Sequence, residues 1–171
     1  SLVAMLDLCD ATEAGRVLDP ARPQRRVVGV DVDIRPHNRR AISAHPMAKR
    51  ITMIQGSSVD PGVVAQVQAA VGDARTVLVC LDSNHTHDHV LAELEAYGPM
   101  VSVGSYCIVF DTDIENLPQD TYANRSWGVG DSPMTAMRAY LDSDPRFVID
   151  REMDARLQIS AAPNGYLRRV R

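Results

Sequence analysis

The sequence predicts an α/β protein with an open, mostly parallel sheet, helices on both faces and a C-terminal antiparallel hairpin. Three observations predict it. β-branched apolar runs alternate with helix-patterned segments along the chain. The runs are continuous rather than alternating, as in strands covered on both faces. Pro163-Asn164-Gly165 near the end is a hairpin turn signal.

The elements follow in order. Leu2, Met5, Leu6 and Cys9 fall at i, i+3, i+4 and i+7, one face of a helix that Gly15 stops. Arg26 to Asp31 is a β-branched strand, expected to be covered on both faces. Pro36 starts a short helix through Ser43, which ends before Pro46. Ile51 to Gln55 is a strand, and Asp60-Pro61 supplies an N-cap and a first-turn proline for a helix through Val71, with Gly72 behind it. Thr76 to Leu81 is the next strand and His87 to Tyr97 the next helix, with Val90, Leu91 and Leu94 on one face and Gly98-Pro99 as a stop. Met100 to Phe110 contains a long strand. Asp131-Ser132-Pro133 caps a helix to about Leu141. Arg146 to Asp150, Arg156 to Ala161 and Tyr166 to Val170 are short strands, the last two flanking the turn.

Composition narrows the function classes. At 171 residues the chain has one domain's length, and 45% hydrophobic with 23% charged residues is the balance of a folded globular protein. A net charge of -4 leaves no basic excess for a phosphate backbone, which argues against nucleic acid as a main partner. The apolar runs, such as Thr76 to Leu81, are far shorter than the about twenty residues that cross a bilayer, so no transmembrane segment is expected. Cys9, Cys80 and Cys107 are a sparse, odd set, two of them in strands read as buried, which suits a reducing, cytoplasmic setting. The opening residues do not resemble a secretory leader.

In an open α/β sheet, chemistry sits at the carboxyl ends of the strands. Those ends carry Asp31 and Asp33, then Gly56-Ser57-Ser58, then Asp82-Ser83-Asn84-His85, then Asp111 with Thr112, Asp113 and Glu115 behind it. Asp31 suits the two hydroxyls of a ribose, because a carboxylate accepts two hydrogen bonds from a vicinal diol. The alternative is that it caps the following loop. Asp82 and Asp111 end neighbouring strands, where two carboxylates repel unless a proton or cation intervenes, and oxygen ligands favour magnesium over zinc. The alternative there is one cap and one solvated loop residue. His85 stands three residues past Asp82 and is placed to act as general base. His87 and His89 follow at a spacing poor for zinc and read as surface residues at a helix N-terminus. The expectation is that Asp31, Asp82, His85 and Asp111 share one rim of the sheet.

The segments Val28 to Asn38, Leu81 to His87, Gly104 to Thr112, Trp127 to Pro133 and Ala162 to Arg169, in this order, resemble the cephalosporin hydroxylase and rhamnosyl O-methyltransferase family over nearly the whole chain. The resemblance implies a Rossmann-like S-adenosylmethionine-dependent methyltransferase, several of whose relatives bind magnesium. It implies that Asp31 holds the cofactor ribose, that Gly56, Ser57 and Ser58 lie near the adenine, and that Asp82 is a metal ligand. His85 matches the proposed base of the related macrocin O-methyltransferases. Relatives from antibiotic pathways carry adjacent Glu-Asp at the end of the fifth strand. Here that pair is Phe110-Asp111, and Glu115 or water would supply the missing ligand.

A second departure lies at the front. Family members have a first strand and a glycine-rich turn before the helix that Ser1 would open, and this numbering holds neither. The expectation is a single domain over 1–171, incomplete at its N-terminus, with strand edges left unpaired about twice the 4.8 Å strand spacing apart. The leading reading is magnesium-assisted O-methylation of a sugar hydroxyl on a small-molecule or glycolipid acceptor, with a homo-oligomer left open. Its rivals are a non-catalytic remnant of the same fold and an iron-dependent hydroxylase using Asp82, His85 and His87.

Overall fold

The computed structural model describes residues 2–16, 19 and 22–171, and the chain divides into two compact units, Ser1–Gly72 and Asp73–Arg171. Its architecture is mixed α/β. Ser1 and the Leu2 side chain, at the start of the expected helix face, lie outside the described residues.

In the first unit, helix α1 (Leu2–Ala14) precedes strand β1 (Val27–Asp31), helix α2 (Pro36–Ala44), a 3₁₀ turn (Ala48–Arg50), strand β2 (Ile51–Gln55) and helix α3 (Pro61–Val71). β1 and β2 pair in parallel, from Val27 opposite Ile51 to Asp31 opposite Gln55. α3 starts as its sequence dictates: the Asp60 carboxylate accepts from Gly62 N at 2.8 Å and Val63 N at 3.1 Å, with Pro61 in the first turn. Such a cap is worth about 1 kcal/mol. Val63 and Val67, one turn apart, are buried with Ile54 beneath α3.

Two expectations change here. β1 is not covered on both faces, since none of its residues is fully buried: among the described residues it has one paired neighbour, β2, and α3 is the helix packed on the pair. Of the expected apolar face of α1, Leu6 and Cys9 are half-buried, but it is not the helix's most buried side. Met5 is 58% exposed, whereas Asp10 is fully buried against Arg50, because that guanidinium draws the acidic side of the helix inward.

The second unit contains β3 (Val79–Leu81), α4 (His87–Tyr97), β4 (Tyr106–Val109), a 3₁₀ turn (Thr112–Asn116), α5 (Pro133–Ser143), β5 (Phe147–Ile149), α6 (Arg151–Leu157) and β6 (Tyr166–Arg169). The sheet order is β3-β4-β6-β5, with β3 and β4 parallel and the other two ladders antiparallel. Leu94, Val101, Cys107, Val109, Met137 and Leu167 are fully buried, and truncating such a leucine to alanine costs about 2–5 kcal/mol. α5 begins in a capping box, where Ser132 Oγ accepts from Thr135 N and Thr135 Oγ1 from Ser132 N. Gly165 lets β6 begin close to β4: a Cβ there would lie 2.2 Å from the Val109 carbonyl oxygen.

Three strands differ from their expected bounds. Thr76 to Leu78 fall outside β3, because the Ser102 hydroxyl takes the Val77 N–H at 3.0 Å and stands in for a strand partner. The run from Met100 contributes strand only from Tyr106, since Ser102 to Ser105 turn through Gly104 at φ 84°. Arg156 to Ala161 is not a strand. The Asp150 carboxylate caps Glu152 N and Met153 N, starting α6 instead, so β5 becomes the antiparallel partner of β6. Cys80 is likewise exposed rather than buried, lying on the edge strand β3, while Cys107 in β4 is buried as expected.

Candidate active site

Each unit gathers part of the predicted set at its strand ends. At the carboxyl end of β1 and β2, Gly56 N donates to the Asp31 carbonyl at 3.0 Å, which joins the loop carrying Gly56, Ser57 and Ser58 to the end of β1. Gly56 has φ 151°, and a Cβ there would sit 2.6 Å from Val63 Cγ2, so this turn accepts only glycine without displacing α3. The exposed Asp31 carboxylate accepts from Asp33 N at 2.8 Å, the loop cap that sequence allowed as its alternative, and retains a second oxygen.

At the carboxyl end of β3 and β4, Leu81 and Val109 are in register and Phe110 N donates to the Leu81 carbonyl at 3.0 Å. Asp82, one residue past Leu81, and Asp111, two past Val109, come together there. Burial pushes the Asp111 carboxyl above the ordinary carboxylate range. The facing His85 opposes this, while Asp82, by charge and hydrogen bond, and the Asp113 charge add to the rise. His85 Nδ1 lies 3.4 Å from Asp111 Oδ2, and both side chains are partly exposed. Asp111 holds this position at φ 55°, a left-handed conformation that Asp tolerates better than most residues and that turns the chain sharply into the following 3₁₀ turn. The Thr112 hydroxyl anchors that turn on the Pro163 carbonyl at 2.9 Å.

Glu115 has a different employment. Its Oε2 accepts from Ser132 Oγ at 2.6 Å and Gly130 N at 3.1 Å, which holds the turn entering α5. Among the described residues no group of three or more His, Cys, Asp or Glu side chains is arranged to hold a metal ion. Asp82 and Asp111 remain a two-carboxylate set, compatible with a hard cation whose other ligands are water.

His87 and His89 are not free surface residues. His87 N donates to Asp131 Oδ1 at 2.6 Å, and its Nδ1 lies 2.9 Å from Thr135 Oγ1, tying the start of α4 to the start of α5. His89 Nε2 lies 3.6 Å from Glu93 Oε1. The two rings therefore address different partners, as their spacing implied.

Sequence reasoning missed the support beneath this site. Glu93 is only 2% exposed; its Oε1 accepts from Ser83 Oγ at 2.7 Å, and its buried Oε2 has no hydrogen-bond partner. Ser83 belongs to the loop carrying Asp82 and His85, so α4 steadies that loop from below. A signal was present: Glu93 lies on the same helical stripe as Val90, Leu94 and Tyr97, where an acid is out of place. Trp127 was also missed as a neighbour of His85. The two rings meet edge to face with centroids 4.8 Å apart, and only the three-dimensional fold brings them together.

Comparison with known proteins agrees with the sequence resemblance. A family model described as rhamnosyl O-methyltransferase/CmcI matches residues 2–170. The rhamnosyl O-methyltransferase of Mycobacterium tuberculosis is 33% identical over 127 residues, covering 71% of this chain and 49% of that protein. Its Mycobacterium leprae counterpart is 26% identical over 119 residues, covering 68% and 49% respectively. The chain thus spans about half the length of the curated relatives it matches. A solved structure of the MycE methyltransferase from the mycinamycin biosynthetic pathway, in complex with Mg and SAH, aligns with a TM-score of 0.50 at 16% identity, over 85% of this chain and 38% of that one, a likeness of fold. With its strand-end carboxylates and histidine in this order, the chain belongs to the rhamnosyl O-methyltransferase/CmcI family.

Proposed function

We propose that the protein transfers a methyl group from S-adenosylmethionine to a sugar hydroxyl, with His85 as the base. The observation that carries this reading is the meeting of Asp82, His85 and Asp111 at the ends of β3 and β4. The rhamnosyl O-methyltransferase relatives support a deoxyhexose acceptor, on a small molecule or a glycolipid, and the MycE structure with Mg and SAH supports the donor and a divalent ion. The three free cysteines suit a reducing cytoplasmic setting, and no described helix is long and apolar enough to cross a membrane.

The donor, when bound, supplies a sulfonium-activated methyl, so the protein's tasks are alignment and removal of one proton. Within the first unit, Asp31 would offer its carboxylate to the ribose hydroxyls, and the Gly56 turn would let the backbone approach the donor closely. His85 takes the acceptor's hydroxyl proton as the O–CH₃ bond forms and the S–CH₃ bond breaks. Its Nδ1 faces Asp111, so Nε2 is the nitrogen presented as acceptor, and Asp111 steadies the imidazolium that results. Asp82 and Asp111 would hold a magnesium ion, which would relieve their mutual repulsion and acidify a bound hydroxyl.

The test uses the full chain with methyl-labelled S-adenosylmethionine, methyl α-rhamnoside and magnesium. Label should enter the glycoside, and His85→Ala should cut the rate by about 10²–10⁴-fold. An unchanged rate in His85→Ala removes His85 as base. The competing reading is a non-catalytic protein of the same fold, favoured by the engagement of Asp31 with Asp33 N. It predicts neither label transfer nor calorimetric heat with S-adenosylmethionine.

A further inference from the structure

A cavity of about 220 Å³ opens in the second unit between α5, β5, α6 and the turn that leads into β6. Met134, Met137 and Ile149 form its apolar part, and Arg138, Arg151 and Asn164 its polar part; Asp82, His85 and Asp111 do not line it. The two methionines belong to the buried stripe of α5 and are 2% and 0% exposed, Ile149 and Asn164 are half-buried, and both arginines are exposed. Asn164 is fixed in place. Its backbone is left-handed at φ 62°, which Asn tolerates, and its N–H donates to Asp154 Oδ2 at 2.9 Å. Arg138 and Arg151 reach the cavity from different helices, and among the described residues neither guanidinium makes a hydrogen bond or an ion pair.

We infer that this cavity binds a small organic anion, a carboxylate or phosphate head on a short apolar chain. The inference goes beyond methyl transfer and does not rest on it. Two guanidiniums lining one cavity repel each other, and no lining carboxylate offsets them. The acids that flank Arg151 in sequence are engaged elsewhere. Asp150 accepts from the Tyr106 hydroxyl and from Glu152 N and Met153 N, while Asp154 holds Asn164 N with Oδ2 and keeps Oδ1 buried without a partner. An anionic head between the arginines relieves their repulsion and gains charge-assisted bonds, which the planar guanidinium fork makes in pairs. The floor selects the rest of the ligand. Met134, Met137 and Ile149 offer apolar contact, and the unbranched thioether chains adjust to its shape. Bare phosphate would leave that floor wet, an uncharged alcohol would leave the guanidiniums without a counter-ion, and a cation is repelled. A nucleic acid would meet only these two charges here, in a chain of net charge -4.

The methionine methyl groups report on the floor directly. The full chain, isotope-labelled at those methyls, is titrated by NMR with hexanoate and with hexyl phosphate, and in parallel with hexanol and inorganic phosphate. Met134→Leu and Met137→Leu, swaps that nearly conserve volume, assign the two resonances. Both anions should shift the two methyls saturably, and the tighter of them identifies the preferred head group. Hexanol and inorganic phosphate should each bind at least about tenfold more weakly, since each lacks one half of the interaction. Arg138→Gln and Arg151→Gln, at exposed positions that leave the core intact, should each weaken anion binding by about tenfold, the loss of one charge-assisted contact. Methyls unmoved by either anion, an equal response to hexanol, or midpoints unchanged in both arginine variants would overturn the site. Turnover with S-adenosylmethionine enters none of these readings, so the failure of methyl transfer and the failure of this site are told apart.

Discussion

His85 Nδ1 lies 3.4 Å from Asp111 Oδ2, and Asp111 is held in that position by a left-handed backbone conformation. The same carboxyl is raised above its ordinary value by burial and by Asp82, with His85 opposing. A carboxyl raised in the folded state binds its proton more tightly there than in the unfolded chain. Its favourable contribution is present at low pH and is lost as pH rises through the folded value, so at neutral pH ionised Asp111 costs stability.

Asp111→Asn should therefore raise the melting temperature at pH 7 while lowering methyl transfer. Asn tolerates the φ of 55°, so the backbone need not move. In the wild type the acidic limb of the rate profile should lie above the ordinary carboxylate value of 3.8, and Asp111→Asn should abolish that limb. A variant less stable than wild type at pH 7 would refute the proposed strain. Thermal melts and a pH–rate profile provide both readings.

How much of this was legible in the sequence depended on where each signal lay. Asp60-Pro61 and Ser132-Pro133 announced α3 and α5, because a helix start is decided within a few residues. The meeting of Asp82 and Asp111 was legible because parallel neighbouring strands bring their ends together. Arg156 to Ala161 was misread as strand because the deciding event is the Asp150 cap, which lies before the segment's own apolar pattern. The contact of Trp127 with His85, and of Arg50 with Asp10, spans 40 residues or more of chain and has no local trace.

Ser83 and Glu93 form a bond that holds the loop of Asp82 and His85 to α4. Ser83→Ala would remove the hydrogen bond to Glu93 Oε1, leaving that oxygen facing only His89 Nε2 at 3.6 Å beside an unpartnered Oε2, and should destabilise the fold by about 1–3 kcal/mol. Combining it with Glu93→Leu, which removes the stranded acid, should recover most of that loss. A double-mutant cycle by urea denaturation measures the coupling, and simple additivity of the two changes would contradict it.

Acid stability should be governed by Asp10 and Asp144. Burial pushes the Asp10 carboxyl up, but hydrogen bonds from Arg50 and Arg25 and the backbone N–H groups of Arg25 and Gln24 outweigh it and leave it well below the usual range. Asp144 is lowered chiefly by its bonds from Arg146. A depressed carboxylate contributes stability above its unfolded value, here about 3.8, and loses it as pH falls from there toward the folded value. The denaturation midpoint should accordingly drop steeply below about pH 4. Asp10→Ala would leave Arg50, which is 1% exposed, with Asp7 and the Arg25 carbonyl as its remaining partners, and should cost about 3 kcal/mol at neutral pH while flattening that acid dependence. Urea midpoints across pH 2–7 for both proteins check the sign as well as the size.

Gly56 tests the donor side without touching a titratable group. Its N–H holds the end of β1 through the Asp31 carbonyl, its φ of 151° is open to glycine alone, and a Cβ would press within 2.6 Å of Val63 Cγ2. Gly56→Ala must either shift α3, where Val63 is buried, or twist the turn away from Asp31. Such overpacking costs about 1–3 kcal/mol. Val63→Ala removes the methyl groups that the new Cβ would meet, so the double variant should regain part of the stability lost to steric overlap. The turn would keep its strained conformation, and affinity for S-adenosylmethionine by calorimetry should stay reduced in single and double variants alike. Full affinity in Gly56→Ala would show that the donor does not depend on this turn.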